Sequence, residues 1–142
     1  MKIILLKLSG KALNEFAKNH HYTNMIKELK LHYNGVVIVH GAGKKISEWA
    51  SAMNIASSFV NGQRKTTKEI MEVVSAVQGG LLNAQITSFL HANGIEAAGL
   101  NGIDRDLFIA DYLDKKLGFV GIPKLNGDIT WLKDLIQSGV VP

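Results

Sequence analysis

Apolar residues in this chain come either as short solid runs or as stripes with helical spacing. Residues 2–8 (KIILLKL) and 36–39 (VVIV) are solid runs, the pattern of buried strands. Between them, Met25, Ile26, Leu29 and Tyr33 share one face of a helix expected over residues 14–33, whose polar part at 18–22 also fits a loop. Asn34-Gly35 marks its stop. Ile46, Trp49, Ala50 and Met53 form a stripe over 45–54, read as core packing. A short strand is expected at 58–60, closed by the turn Asn61-Gly62. Thr66 followed by Glu69 has capping-box spacing, and the helix behind it turns Ile70, Val73, Val74 and Val77 inward. Gly79-Gly80 is expected to interrupt that helix before Leu82, Ile86, Phe89 and Leu90 resume the period, and Asn93-Gly94 closes it. A third strand is expected at 95–100, a turn at Asn101-Gly102, a hairpin or edge strands from 106–112 and 117–122, and a last helix over 129–137.

Strands alternating with helices define an α/β layer fold, here a three-layer sandwich around a mostly parallel central sheet. Gly139 stops the last helix, and Val140-Val141 reads as the start of another buried strand. That ending predicts a polypeptide completed by a further segment or a second chain. The sequence shows no repeat, low-complexity tract or linker.

The 142 residues suit one ordinary domain, and at 46% hydrophobic they can build a core. No apolar stretch approaches the roughly 20 residues that span a bilayer, and the apolar start is too short for a signal peptide, so no membrane partner is expected. Without cysteine the chain has neither disulfides nor thiolate chemistry, which fits the cytoplasm as the default location. The net charge of +4 is spread along the chain rather than gathered in a stripe. It favours a small anionic substrate over nucleic acid.

Candidate chemistry sits where strands end. In parallel α/β sheets, ligands gather at the carboxyl ends of strands. Gly10 follows the first strand and Gly41, Ala42 and Gly43 follow the second, while Lys7 is near enough to extend an ammonium into the same crevice. Glycine admits close backbone approach, and a helix N-terminus offers unpaired N–H groups to an anion. Singly, each feature has a plain structural reading: a steric strand end, a solvated lysine, a loop arginine at Arg64. GAGKK has neither Walker A nor GxGxxG spacing.

Taken together, KLSGK at 7–11, VIVHGAGKKISEW at 37–49, VNGQRKTTKEIMEVV at 60–74, GGLLNAQITSFLHANGIEAAGLNGID at 79–104, GFVG at 118–121 and LIQSGVVP at 135–142 resemble the amino acid kinase family, and within it the members that phosphorylate N-acylated glutamate. The resemblance covers nearly the whole chain but only the amino-terminal, acceptor-binding half of the family fold. It implies transfer of the ATP γ-phosphoryl to the side-chain carboxylate of N-acetyl-L-glutamate in arginine biosynthesis. It assigns Lys7 as the catalytic lysine that steadies the transferring phosphoryl group. Ser9 and Gly10 become the phosphate-binding loop. Gly41, Ala42, Gly43 and Arg64 become the acceptor site, with Arg64 gripping the α-carboxylate. ATP and Mg2+ are expected to need the carboxyl-terminal nucleotide half, and no metal ligand is assigned in this chain. A homodimer is expected, with Trp49, Met53 and Ile70 as candidate interface residues.

Two positions depart from the family pattern. Ser9 replaces a glycine of the first loop, and Ala42 replaces the middle glycine of the second. The methyl of Ala42 would matter if that residue needed a positive φ. Residues 1–142 alone are expected to lack kinase activity. The competing readings are a non-catalytic amino-acid-binding or regulatory module of the same fold and a kinase for N-succinylglutamate. Carbamate as acceptor is disfavoured, since it has no α-carboxylate for Arg64.

Overall fold

The structure, a computed structural model, describes residues 1–16 and 18–142; the expected helix over 14–33 crosses residue 17, which lies outside the described residues. In chain order the elements are β1 (Ile3–Leu8), α1 (Gly10–Phe16), α2 (His20–His32), β2 (Gly35–His40), α3 (Gly43–Ala52), β3 (Ser58–Val60), β4 (Gln63–Lys65), α4 (Lys68–Val74), a π-helical segment (Ser75–Leu82), α5 (Asn83–Ala92), β5 (Phe108–Tyr112), β6 (Gly121–Leu125) and α6 (Thr130–Gln137). They form two compact units. The first comprises Met1–Gly41, Leu82–Leu100 and Asp128–Pro142, and the second Ala42–Leu81 and Asn101–Gly127.

The first unit is built on a parallel sheet. β1 pairs with β2 from Ile3↔Gly35 to Leu8↔His40. The carboxyl-terminal stub extends it: the Ile38 N–H donates to the Pro142 carbonyl at 2.9 Å, and Val141 bridges Ala97 in parallel. Val140-Val141 therefore does start a strand-like pairing, and Val141 is buried. On one face Leu8 and Val36 pack with Phe16, Ile26, Ile86, Leu90 and Ile95 of the surrounding helices and loop. On the other, α6 crosses β2 so closely that a Cβ on Gly35 would collide with the Ile136 side chain. Helices thus lie against both faces, in three layers, fully on the first and partly on the second.

Several expectations are corrected in this unit. β1 is not buried throughout, since Ile3 and Leu5 on its second face are 40% and 61% exposed. The single α6 shields only the Gly35 end of that face. The helix expected over 14–33 is two helices. Asn19 caps the second, its side chain accepting the His21 N–H at 2.9 Å, so the polar stretch at 18–22 is largely helical. The third strand expected at 95–100 is reduced to the one bridge at Ala97. There the His91 Nε2 lies 3.1 Å from the outward Ala97 N–H and 2.9 Å from its carbonyl, and pairs with one or the other according to its tautomer.

The second unit holds two antiparallel hairpins, β3–β4 and β5–β6. Asn61 and Gly62, both with positive φ, make the tight turn of the first. Beyond β4, Thr66 pairs with residues 117–119, where Gly118 has φ 74° and a Cβ would strike the Thr66 backbone. Thr66 is buried in that pairing, and the cap of α4 is Thr67, whose hydroxyl accepts the Ile70 N–H at 3.3 Å. The capping pair is therefore shifted by one residue from the expected Thr66. A hydrogen bond with the Thr67 side chain, then one with its own backbone, holds the Glu69 carboxyl below its ordinary value. Gly79-Gly80 does not break the helix: the π-helical segment carries the backbone through it into α5. A Cβ on Gly79 would come within 2.6 Å of the Asn101 Oδ1, so a side chain there would displace the Asn101 amide. The second hairpin strand begins at Gly121 rather than 117, because residues 115–117 form a 3-10 turn.

Two substitutions test these packing claims. Gly35→Ala should destabilise by about 1–3 kcal/mol through overpacking against Ile136. Thr67→Ala should cost about 1 kcal/mol through loss of the α4 cap, while Thr67→Ser should restore most of it. Urea unfolding monitored by circular dichroism reads both.

Candidate functional site

In-register parallel pairing makes β1 and β2 end together. Lys7 is opposite Val39 and Leu8 is opposite His40, so the turns after both strands leave the same end of the sheet. The Gly41 N–H lies 3.4 Å from the Leu8 carbonyl, drawing the second turn toward the end of β1. Lys7 is exposed and shares the sheet face of Ile3 and Leu5, opposite the packed face of Leu8.

The first turn is short. Ser9 accepts the Leu13 N–H on its carbonyl at 2.9 Å, and its hydroxyl lies 3.4 Å from the Ala12 N–H. The serine that departs from the family pattern therefore acts locally as the cap of α1, which Gly10 opens.

The second turn is open. Ala42 is the N-cap residue of α3 with φ −143°, outside the left-handed region, and it is buried. Its methyl therefore costs no backbone strain. Neither Gly41 nor Gly43 has a positive φ, and a Cβ on either would meet nothing within 4 Å among the described residues. Glycine here is demanded neither by backbone conformation nor by packing; it leaves room in front of the turn. Ala42, the N-cap, makes no side-chain capping bond to α3, so among the described residues the first N–H groups lack that partner.

Before that turn stands His40, half-buried at the end of β2. Burial pushes its imidazole below the ordinary histidine pKa, opposed in part by a hydrogen bond with the Gly41 backbone. The shift favours the neutral imidazole.

Arg64 belongs to the second unit, with Ala42 and Gly43. Its guanidinium stacks on Phe59, its cross-strand partner, at 4.6 Å. Nη2 donates to the Gly43 carbonyl at 2.9 Å and to the Ser47 hydroxyl at 2.8 Å, and Nη1 donates to the Ser57 hydroxyl. Partial burial draws its pKa below the ordinary arginine value, yet a guanidinium keeps its charge. Two groupings follow: Lys7, Ser9, Gly10 and Gly41 at one sheet end of the first unit, and Ala42, Gly43 and Arg64 within the second. Ser47, Ser57 and Phe59 were not singled out by sequence. Ser47 follows Gly43 by one helical turn, a spacing at which a serine hydroxyl reaches back to the carbonyl.

The sequence profile of the amino acid kinase family matches residues 2–142, and the chain belongs to that family. Among relatives, it is 34% identical to an acetylglutamate kinase of Geobacillus sp. (strain WCH70), over 99% of this chain and 54% of the relative. It is 38% identical to an acetylglutamate kinase of Campylobacter curvus (strain 525.92), over 99% of this chain and 50% of the relative. The chain thus spans about half the length of these relatives. Among solved structures, smu.665 from Streptococcus mutans UA159 superposes with a TM-score of 0.88 at 26% identity, over 99% of this chain and 56% of that one. N-acetylglutamate synthase from Neisseria gonorrhoeae, solved with coenzyme A and N-acetyl-glutamate, shares the fold at a TM-score of 0.71 and 16% identity, covering 99% of this chain and 32% of that one.

His40 gives a pH test. Its folded-state pKa lies below the unfolded value of about 6.5, so the unfolded chain binds the proton first as pH falls. The stability linked to neutral His40 is complete above that value and is lost as pH drops through the folded one. His40→Gln should flatten this part of the stability–pH curve, read by urea unfolding at a series of pH values from 7.5 down to 5.

Proposed function

We propose that this chain is the acceptor-binding half of an acylglutamate kinase, which moves the γ-phosphoryl of ATP to the side-chain carboxylate of N-acetyl-L-glutamate in arginine biosynthesis. The observation that carries the reading lies in the first unit, where β1 and β2 end in register and bring Lys7 and the Gly41 turn to one end of the sheet. An ammonium and a glycine turn are the kind of electrostatic provision that phosphoryl transfer requires. Lys7 would steady the transferring phosphoryl oxygens, with Ser9 and Gly10 alongside. Gly41, Ala42 and Gly43 would bind the acceptor, and Arg64 would take its α-carboxylate. In this reading ATP and Mg2+ need a carboxyl-terminal nucleotide half, as the kinase relatives imply for ATP. No helix among the described residues is long and apolar enough to cross a membrane, and the cytoplasm is the location this reading favours.

A homodimer belongs to the same reading. Of the three candidate interface residues, Ile70 is wholly buried within this chain and is unavailable, whereas Met53 is exposed. A larger apolar surface lies on the β5–β6 hairpin, where Phe108, Ala110 and Tyr112 share a face with Leu125, Pro123 and Gly121. An isolated two-stranded hairpin is marginal in water, and a second copy covering this face would support it. Tyr112→Glu should shift the protein toward monomer in sedimentation velocity and abolish the concentration dependence of its unfolding temperature.

Titration calorimetry with N-acetyl-L-glutamate tests the acceptor assignment. The wild-type chain should bind, and Arg64→Ala should weaken binding by about 10- to 100-fold, the range for a charge-assisted hydrogen-bonded pair. Incubated with ATP, Mg2+ and N-acetyl-L-glutamate, residues 1–142 alone should give no acyl phosphate. Joined to a nucleotide half, the chain should turn over, and Lys7→Ala should cut kcat by roughly 100- to 1,000-fold with little change in KM. Binding without turnover in the completed enzyme would favour the non-catalytic module.

A further inference from the structure

Arg64 reaches across the second unit to the first turn of α3 and closes a three-membered ring of polar groups there. The Ser47 hydroxyl donates to the Gly43 carbonyl at 3.1 Å and accepts from the Arg64 Nη2 at 2.8 Å. The same Nη2 donates to the Gly43 carbonyl at 2.9 Å. Every proton in the ring has an acceptor, and the one hydroxyl hydrogen is used once. With the Ser57 contact, three of the five guanidinium N–H groups are spent on the protein. Phe59 fixes the plane and the two serines fix rotation within it.

Two physical consequences follow. A glycine turn that recruits an anion with its N–H groups also carries carbonyl oxygens that repel it. Here the Gly43 carbonyl is neutralised by one charged and one neutral donor. Second, a guanidinium held on three sides cannot swing to meet a ligand, so its remaining N–H groups are pre-aimed and less rotamer entropy is lost on binding.

We propose that Ser47 is a positioning residue for recognition of a carboxylate ligand: it locks the Arg64 guanidinium to the Gly43 carbonyl so that the unspent N–H groups of Arg64 meet the carboxylate in one orientation. The inference deepens the acceptor-site reading and rests on it for the identity of the ligand, while the lock itself is a property of the free chain.

The test uses Ser47→Ala, the rescue variant Ser47→Thr, and two readouts. In nitrogen-15 spectra of the free chain, the Arg64 Nη protons should be resolved by slow rotation in the wild type, averaged in Ser47→Ala, and resolved again in Ser47→Thr. In calorimetry with N-acetyl-L-glutamate, Ser47→Ala should raise Kd roughly tenfold. Ser47→Thr should stay within about threefold of wild type, and the unfolding temperature of both variants should be unchanged. Unaltered Arg64 signals in Ser47→Ala would overturn the proposal. So would equal losses in both variants together with a lowered unfolding temperature, which would mark Ser47 as merely structural. If the wild type binds no acylglutamate but the Arg64 signals respond as described, the acceptor reading fails and the lock stands.

Discussion

The parallel pairing of β1 with β2 is the constraint on which the rest depends. It fixes Leu8 opposite His40, so both strands end at one level and both turns leave the same end of the sheet. It also fixes which face is core. Leu8 and Val36 point into the cluster built by α1, α2 and α5, and Lys7 necessarily points to the other side. A slip of one residue would carry Lys7 into that core and expose Leu8, exchanging a buried apolar side chain for an unpaired charge. Core packing and the placement of the ammonium are therefore one decision of register.

The turn after β2 balances two opposing demands. It has to be open enough to admit a ligand to the backbone and firm enough to keep its N–H groups aimed. Openness comes from the glycines, which meet no neighbour. Firmness comes from Ala42, buried under the start of α3, and from Arg64 and Ser47 tying down the Gly43 carbonyl. The substitution of Ala42 for a glycine fits this division. The residue sits at an ordinary φ and can carry a methyl that packs, while the two flanking positions stay bare.

Apolar surface left uncovered includes the outer face of β1, at Ile3 and Leu5, and the β5–β6 hairpin. Parallel sheets are normally covered on both faces, and a lone hairpin seldom survives in water. Both surfaces thus carry the composition of buried elements. This explains why the solid apolar run at 2–8 promised more burial than the strand has.

Most elements were legible in the sequence, because the period of apolar positions is a local property. The solid runs gave β1 and β2, the stripes gave α2 to α6, and Asn61-Gly62 gave its hairpin. The errors fall where a long-range contact overrides local preference. Asn101 packs on Gly79 and the helix continues as a π-turn through a glycine pair that ordinarily ends one. Thr66 is drawn into pairing with residues 117–119, and the cap passes to Thr67. The third strand is reduced to the bridge between Ala97 and Val141, with His91 on the other edge of Ala97. The family motifs likewise placed Lys7, the two turns and Arg64 on the chain, since motif spacing is written in order along the sequence. Ser47, Ser57 and Phe59 could not be read that way. Their contacts with Arg64 join residues separated by 5 to 17 positions, with the Gly43 carbonyl at 21, and only folding brings them within hydrogen-bonding distance. The sequence by itself determined which groups carry the charge and where the backbone bends; the tertiary structure decided which of those groups are held still, because orientation depends on neighbours that sequence order does not supply.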